Sequence, residues 1–467
     1  MIIKQFYTNC LSEAAYYIES EGEVAIIDPL RDIDTYLDLA SEHNAKIKYI
    51  FETHFHADFV SGHLDLSKQT GAPIVFGPNA KTNFPIHQAK NGEILKLGKL
   101  SFEVLHTPGH TLESTCYLLR DENDKPHAIF TGDTLFVGDV GRPDLSSGNM
   151  SSEDLAGIMY ESIHTKILPL NDAILVYPAH GPGSSCGKNL GPNTHSTIGE
   201  EKKTNYALQP QTKEEFIKAV TDGLQLAPVY FAINAKINQS GYEEIKTVSE
   251  KGTQLLSVEA FKTAAENGAI ILDTRNATTF THGFVPGSIS IGLEGRFAEW
   301  AGTLLPFDQS IILVTETGKE KETVIRLSRV GFEKMEGCLK DGFETWKNAG
   351  EKIDLIIDVE PDELMMDIPH DPNLIIVDVR KEIEFNEGHL QDAINLPLSE
   401  MTDVALIAQF EENQNLYVHC QGGYRSVIAA SLLKRQGIHN IRNVLGGWNK
   451  INLEKEAKIV KETIALN

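Results

Sequence analysis

The chain has 467 residues and a formal charge of −24, a length that suits one domain of about 250 residues followed by two of about 100. The acidic balance argues against nucleic acid or an anionic membrane surface as partner and mainly supports solubility. Five cysteines at irregular spacing form no disulfide framework, and the opening MIIKQFYTNCLSEAAYYIES lacks a secretory core and a transit pattern. A reducing, cytoplasmic setting without a membrane span is therefore expected.

Lys46 to Glu52 alternates polar and apolar residues as a strand does, which places His54 and His56 on the loop leaving its C-terminal end. SFEVLHTPGHT brings His110 after a second alternating run and a Pro-Gly turn. HAIFTGDTL brings Asp133 after a short apolar strand, and AILVYPAHG ends at His180. Helical segments are predicted after Asp32 and after Ser151. Four strand exits thus deliver His, His, Asp and His to loops, the positions from which a rigid scaffold presents ligands.

In this order, HxHxD, TPGHT, GDTL and YPAHG resemble the metallo-β-lactamase superfamily across residues 1 to about 250. The resemblance implies an αββα sandwich. In that superfamily the motif usually reads HxHxDH, and its Asp-His pair, with the YPAH histidine, holds a second metal. Here Asp58 is followed by Phe59, so one donor is missing and a single metal is expected. His54, His110 and Asp133 then form a two-His, one-carboxylate face with open positions, which suits Fe(II) and oxygen chemistry, one Fe(II) per chain. His56, Asp58 and His180 become groups that orient ligands or line the pocket.

In detail the segment is similar to the persulfide dioxygenases of the ethylmalonic-encephalopathy type. That resemblance implies oxidation of a thiol persulfide by O2 to sulfite. GDTLFVGDVGRPD fits the same branch, by which Arg142 would bind the anionic end of the substrate. Glutathione-using members are expected to carry a tyrosine soon after the YPAH histidine, whereas this chain continues Gly181-Pro182-Gly183-Ser184-Ser185-Cys186. The carrier thiol is accordingly open. Cys186 is a candidate sulfur relay or an ordinary loop cysteine.

Residues 373 to 450 read as a strand ending in Asp378-Val379-Arg380 and then a strand, glycine-rich loop and helix over NLYVHCQGGYRSVIAASLLKRQG. Cys420 sits where the strand stops. Gly422 and Gly423 let the backbone curl, and Val427, Ile428, Leu432 and Leu433 give the helix an apolar face. Amides turned into the loop and the positive helix end favour an anion at its centre, a thiolate or persulfide included. This resembles a rhodanese, a sulfurtransferase, in which Gln421, Gly422, Gly423, Tyr424, Arg425 and Ser426 would bind substrate around Cys420. A cysteine phosphatase would place five residues between Cys and Arg, and here there are four. Trp448 in VLGGWNKI is read as core packing.

An internal repeat precedes this module. AIILDTRNATTFTHGFVPGSISI parallels LIIVDVRKEIEFNEGHLQDAINL, pairing Asp273 and Arg275 with Asp378 and Arg380, and His282 with His389. SIILVTETGKEKETVIRLSRVGF parallels the Cys420 segment, with Glu316 set against Cys420. A carboxylate cannot accept sulfane sulfur, so this repeat is expected to be inactive in transfer. Cys338 is read as structural, and Cys10 and Cys116 as packed.

The fold expected is α/β and multidomain: a metallo-β-lactamase sandwich over 1–250, an inactive rhodanese-like domain over 254–350 and an active rhodanese domain over 358–467, the last two with parallel sheets. Candidate joints are Gln239 to Gly252 and Asn348 to Pro361, and by resemblance the segment between Cys186 and Gly241 caps the metal pocket. The expected activity joins persulfide oxidation to sulfur transfer through Cys420, to or from thiosulfate. Its partners are a thiol persulfide, O2 and sulfite or thiosulfate, and a homo-oligomer is the expected state. The alternatives are a two-zinc thioester hydrolase of the glyoxalase II kind fused to a sulfur carrier, and a non-catalytic sulfur sensor.

Overall fold

The computed structural model describes residues 1–145, 150–188, 190–224 and 226–462. Two compact units are present, one formed by Met1–Thr247 with Leu327–Gly331 and one by Val248–Arg326 with Phe332–Asn467. Residues 463–467, the end of the expected third domain, lie outside the described residues.

In the first unit, β1 (Ile2–Thr8), β2 (Glu13–Ser20), β3 (Glu23–Ile27), β4 (Lys46–Phe51), β5 (Ile74–Phe76) and β6 (His87–Gln88) are neighbours in that order in one sheet. A second sheet holds β7 (Ile94–Leu97), β8 (Leu100–His106), β9 (Thr115–Arg120), β10 (Pro126–Gly132), β11 (Leu175–Pro178) and β12 (Ser196–Thr197), again in order. Strand periodicity sorts the side chains. In β2, Ala14, Tyr16 and Ile18 enter the core shared with Phe102, Tyr117 and Phe130 of the second sheet, while Ala15 and Tyr17 pack on the other face with Tyr36 and Leu39 of the helix Asp34–Glu42. On the second sheet Cys116, Leu118 and Ile129 face outward to meet Ala156 and Met159 of the helix Ser152–Ser162 and Phe216 of the helix Lys213–Thr221. Four layers result, helix, sheet, sheet, helix, which is the αββα sandwich expected.

Capping explains where two of those helices begin. Ser151 accepts from the Asp154 amide and Asp154 reaches back to Ser151, a reciprocal pair that satisfies two free amides, and Thr212 with Glu215 repeats it.

The second unit contains two five-stranded sheets of the same order. One runs Leu255–Leu256, Met335–Leu339, Ile311–Val314, Ile270–Asp273, Ile289–Ser290. The other runs Ile357–Val359, Ile441–Val444, Asn415–His419, Leu374–Asp378, Ile394–Asn395. Every pairing within them is parallel. Near-continuous apolar runs such as Ile270-Ile271-Leu272 follow, since helices cover both faces of a parallel sheet.

The sheets also fix the register of the repeat, and two sequence pairings are corrected. Asp273 lies opposite Val314 as Asp378 lies opposite His419, so the residue matching Cys420 is Thr315 and Glu316 matches Gln421. Arg275 donates to the Gly283 carbonyl as Arg380 donates to that of Gly388. His389 is therefore matched by Phe284, not His282: Phe284 stacks on Phe280 as His389 stacks on Phe385. The same register follows when the quoted segments are aligned without gaps. The stretch Gln239 to Gly252, read as a polar joint, contains the helix Ile245–Gly252, because Val248 and Gly252 on one side are buried. Among the described residues no helix is long and apolar enough to cross a membrane.

Candidate active sites

The loops at the ends of β4, β8, β10 and β11 converge, and His54, His110, Asp133 and His180 are all buried there. Asp133 is the centre. Its Oδ2 stands 3.4 Å from His110 Nε2 and 3.8 Å from His54 Nε2, and its Oδ1 stands 3.6 Å from His180 Nε2. Those separations are long for hydrogen bonds and suit atoms that share a cation. Among the described residues neither carboxylate oxygen of Asp133 gains a hydrogen bond, and both are buried. Such a buried carboxylate is costly unless a proton or a metal answers it.

The histidines are preset as ligands by what their other nitrogens do. His110 Nδ1 donates to the Arg142 carbonyl at 2.8 Å, and His180 Nδ1 to that of Ser12 at 3.1 Å. Thr53 Oγ1 donates to Asp28 at 2.9 Å and so receives His54 Nδ1 at 3.0 Å. Each Nε2 lone pair is thereby turned toward Asp133. Burial, reinforced by the neighbouring imidazoles, holds His54 well below the ordinary imidazole value, which keeps it neutral. The donor set fits a metal: His54, His110 and Asp133 lie with ligand atoms within 4.8 Å of one another, and so do Asp133, His180 and Cys186.

His56 is placed differently. Its Nε2 lies 3.1 Å from Asp28 and 3.4 Å from Glu52. Burial opposes a charge there, yet Asp28 and Glu52 outweigh it and raise His56 well above its ordinary value. Phe59 stacks on the same ring at 4.2 Å, and the Asn238 amide ties down the carbonyls of both residues. Asp58 is brought to 3.5 Å from His180.

Arg142 lines the loop, but its guanidinium forms a bidentate pair with Asp144, both contacts at 2.7 Å, and reaches the Ser185 carbonyl. An anionic substrate would have to exchange with Asp144. Cys186 is buried beside Asp133 and His180, and burial, with Asp58 and Asp133, pushes its thiol well up. Cys116 and Cys338 are buried as expected, and Cys10 is half-buried.

The second site is built on the turn after Asn415–His419. Gly423 adopts φ +107° and donates its amide to Cys420 Sγ at 3.1 Å, the curl that glycine permits. A neighbouring turn holds the loop from below: Trp448 N donates to the Cys420 carbonyl at 2.7 Å and Asn449 N to that of Gln421 at 3.0 Å. Gly447 makes this approach possible, because a Cβ there would stand 2.3 Å from the Cys420 carbonyl oxygen. The helix Tyr424–Arg435 begins at once, with Ser426, Val427 and Ile428 buried. Arg425 pairs with Glu384 at 2.7 and 2.8 Å. Tyr424 turns away from the sulfur and donates to the Gly292 carbonyl in the preceding repeat at 2.8 Å. Trp448 lies against the Arg380 guanidinium, 4.5 Å from its ring centre.

The first repeat carries different groups at the matching positions. Thr315 replaces the thiol, and Glu316 and Glu320 stand where Gln421 and Arg425 surround Cys420, although Gly318 keeps a positive φ of +87°.

Asp28, Glu52, Glu384, Asn443 and Gly447 all bear on the sites, and the sequence reading did not assign them. Only Gly447, in a Gly-Gly pair before Trp448, carries a local cue.

Residues 8–180 match the family model of the metallo-beta-lactamase superfamily, and residues 257–349 and 360–454 match that of the rhodanese-like domain. The hydroxyacylglutathione hydrolase GloC of Haemophilus influenzae is 31% identical over 232 residues, which is 45% of this chain and 97% of that protein. A metallo-beta-lactamase from Staphylococcus aureus subsp. aureus COL, known as a crystal structure, superposes with a TM-score of 0.65 at 34% identity, covering 73% of this chain and 99% of that one. ETHE1 from Myxococcus xanthus superposes with a TM-score of 0.45 at 30% identity over 51% of this chain and 98% of that one.

Proposed function

Because the chain belongs to the metallo-beta-lactamase superfamily and carries two rhodanese-like domains behind that fold, we propose that it is a persulfide dioxygenase and sulfurtransferase. The observation that carries this reading is the state of the HxHxD loop. Phe59 occupies the position of a sixth-residue donor and lies on His56, whose Nε2 is engaged by Asp28 and Glu52. His54, His110 and Asp133 remain as the face that would hold one Fe(II), which supplies activation of dioxygen and of a bound sulfur ligand. The chain's own part is orientation: Thr53 and the Arg142 carbonyl fix the two imidazoles, and the buried loops keep bulk water from the reacting sulfur.

The substrate class is a low-molecular-weight thiol persulfide, oxidised with O2 to sulfite. At the second site the Cys420 thiolate attacks the outer sulfur of thiosulfate, the S–S bond breaks, and sulfite leaves with the electron pair. A nucleophile then takes the outer sulfur and restores the thiolate, and the same steps run in reverse. Cys186, beside Asp133 and His180, is proposed as a relay for sulfane sulfur. A homo-oligomer in the cytoplasm belongs to the same proposal.

A second reading, a two-metal thioester hydrolase, is favoured by the likeness to hydroxyacylglutathione hydrolases and by a second set of candidate donors, His56, Asp58 and His180, whose ligand atoms lie within 4.8 Å of one another. Metal analysis with an oxygen electrode separates the two. Wild-type protein should hold iron and consume O2 with a persulfide, and His110→Ala should not. Cys420→Ser should keep O2 uptake while losing thiosulfate-to-cyanide transfer. Two zinc ions per chain with thioester turnover and no O2 uptake would select the hydrolase.

A further inference from the structure

The cysteine-lacking repeat begins a chain of hydrogen bonds that ends at the sulfur of Cys420. Thr281 Oγ1 donates to Asp358 Oδ2 at 2.7 Å, and Asn443 Nδ2 donates to Asp358 Oδ1 at 2.8 Å. Ser426 Oγ stands 2.7 Å from Asn443 Oδ1 and 3.8 Å from Cys420 Sγ. Thr281, Asp358 and Asn443 also line a cavity of about 270 Å³ between the two repeats, with Gly422 and Gly423 of the cysteine loop in its wall.

One group sets the direction of every proton in this chain. A carboxylate only accepts, so Asn443 turns its NH2 to Asp358 and its carbonyl oxygen to Ser426. Ser426 then gives its single proton to Asn443, with the Gly423 carbonyl at 3.0 Å as the other acceptor. What it presents to Cys420 is a lone pair.

We infer that Asp358 is a positioning residue for sulfur transfer: acting through Asn443, it turns the Ser426 hydroxyl so that oxygen, not hydrogen, faces Cys420 Sγ. The inference rests on the reading of Cys420 as a sulfur carrier. An oxygen lone pair disfavours negative charge on Sγ. In the loaded persulfide Sγ is neutral and the charge lies one atom further out, so the arrangement favours loading and keeps the unloaded thiolate nucleophilic. Thr281 anchors the carboxylate, which gives the cysteine-lacking repeat a part in chemistry it does not perform.

Asp358→Asn tests this with almost no change of shape. With its remaining oxygen kept on the Thr281 hydroxyl, the new amide donates to Asn443 Oδ1 and turns that side chain over, so that Asn443 Nδ2 donates to Ser426 and the hydroxyl proton is released. Only the Gly423 carbonyl then competes with the thiolate for it. In the full-length protein, alkylation of Cys420 by iodoacetamide is followed against pH by peptide mass. The midpoint of the Asp358→Asn profile should fall by about one pH unit, the size of one hydrogen bond to a charged group, and its plateau rate should drop. Asn443→Leu should shift it the same way, and Asp358→Asn should add nothing in a Ser426→Ala background. A profile that superimposes on wild type, or a shift that survives without the Ser426 hydroxyl, overturns the inference. Retention of thiosulfate-to-cyanide transfer by Cys420→Ser would instead overturn the carrier reading.

Discussion

Phe59 lies on the imidazole of His56 with ring centroids 4.2 Å apart and planes 30° apart. The aromatic side chain, next after Asp58 in the chain, offers carbon where a histidine would offer a nitrogen donor. The ring it covers is the one whose Nε2 lies 3.1 Å from Asp28 and 3.4 Å from Glu52.

Phe59→His should therefore change metal content before it changes fold. Zinc bound per chain, measured by elemental analysis after loading, is expected to rise toward two, and persulfide-dependent O2 uptake to fall by at least about tenfold, the scale of a disturbed metal environment. An unchanged metal ratio would separate Phe59 from the choice of metal number.

Asp28 touches no candidate ligand atom of the His54, His110 and Asp133 set, yet it accepts from both the amide and the hydroxyl of Thr53, which in turn orients His54. Asp28→Asn should weaken metal binding by about 10- to 100-fold, as loss of an outer hydrogen-bonding partner does. Competition against a chelator reads this directly. Thiosulfate-to-cyanide transfer should be unaffected.

Thr315→Cys restores a thiol to the first repeat. In a Cys420→Ser background it should nonetheless give no thiosulfate-to-cyanide transfer, because Glu316 and Glu320 place carboxylates where the Cys420 loop has Gln421 and Arg425, and like charge disfavours a thiolate. Recovered transfer would show that the thiol alone had been missing.

Burial pushes the Cys116 thiol from 9.0 to about 11 and that of Cys338 from 9.0 to about 12. Both should resist iodoacetamide at pH 7.5 in the native protein. The sign for stability follows: below 9.0 folded and unfolded chains both keep these thiols protonated, and above it only the unfolded chain ionises. Their contribution is thus present below pH 9.0 and lost as pH rises toward 11 to 12. Urea midpoints should fall over that range, and Cys116→Ala should flatten part of the fall.

The first unit's candidate ligands were legible from sequence because each follows its strand by a few residues, and strand ends carry strong local signals in Pro, Gly and alternating apolar positions. The Cys420 loop was legible for the same reason, with Gly423 answering a backbone need that chemistry alone imposes. Pairing the repeats was legible as well: read without gaps, the two pairs of segments set Thr315 against Cys420 and Phe284 against His389, and the ladder that sets Asp273 against Val314 and Asp378 against His419 has the same register.

What the sequence determined by itself was the order of folds, the identity of the candidate donors and the single thiol on a glycine-rich turn, since these depend on neighbours within a few residues. Only the tertiary structure decided how the donors are used. His56 turns to Asp28 and Glu52, Arg142 closes on Asp144, and Asp358 reaches Cys420 through Asn443 and Ser426. Each of these relations joins distant strands and loops, and the direction in which a buried polar group points is fixed by whichever partners the packed chain brings within about 3 Å of it.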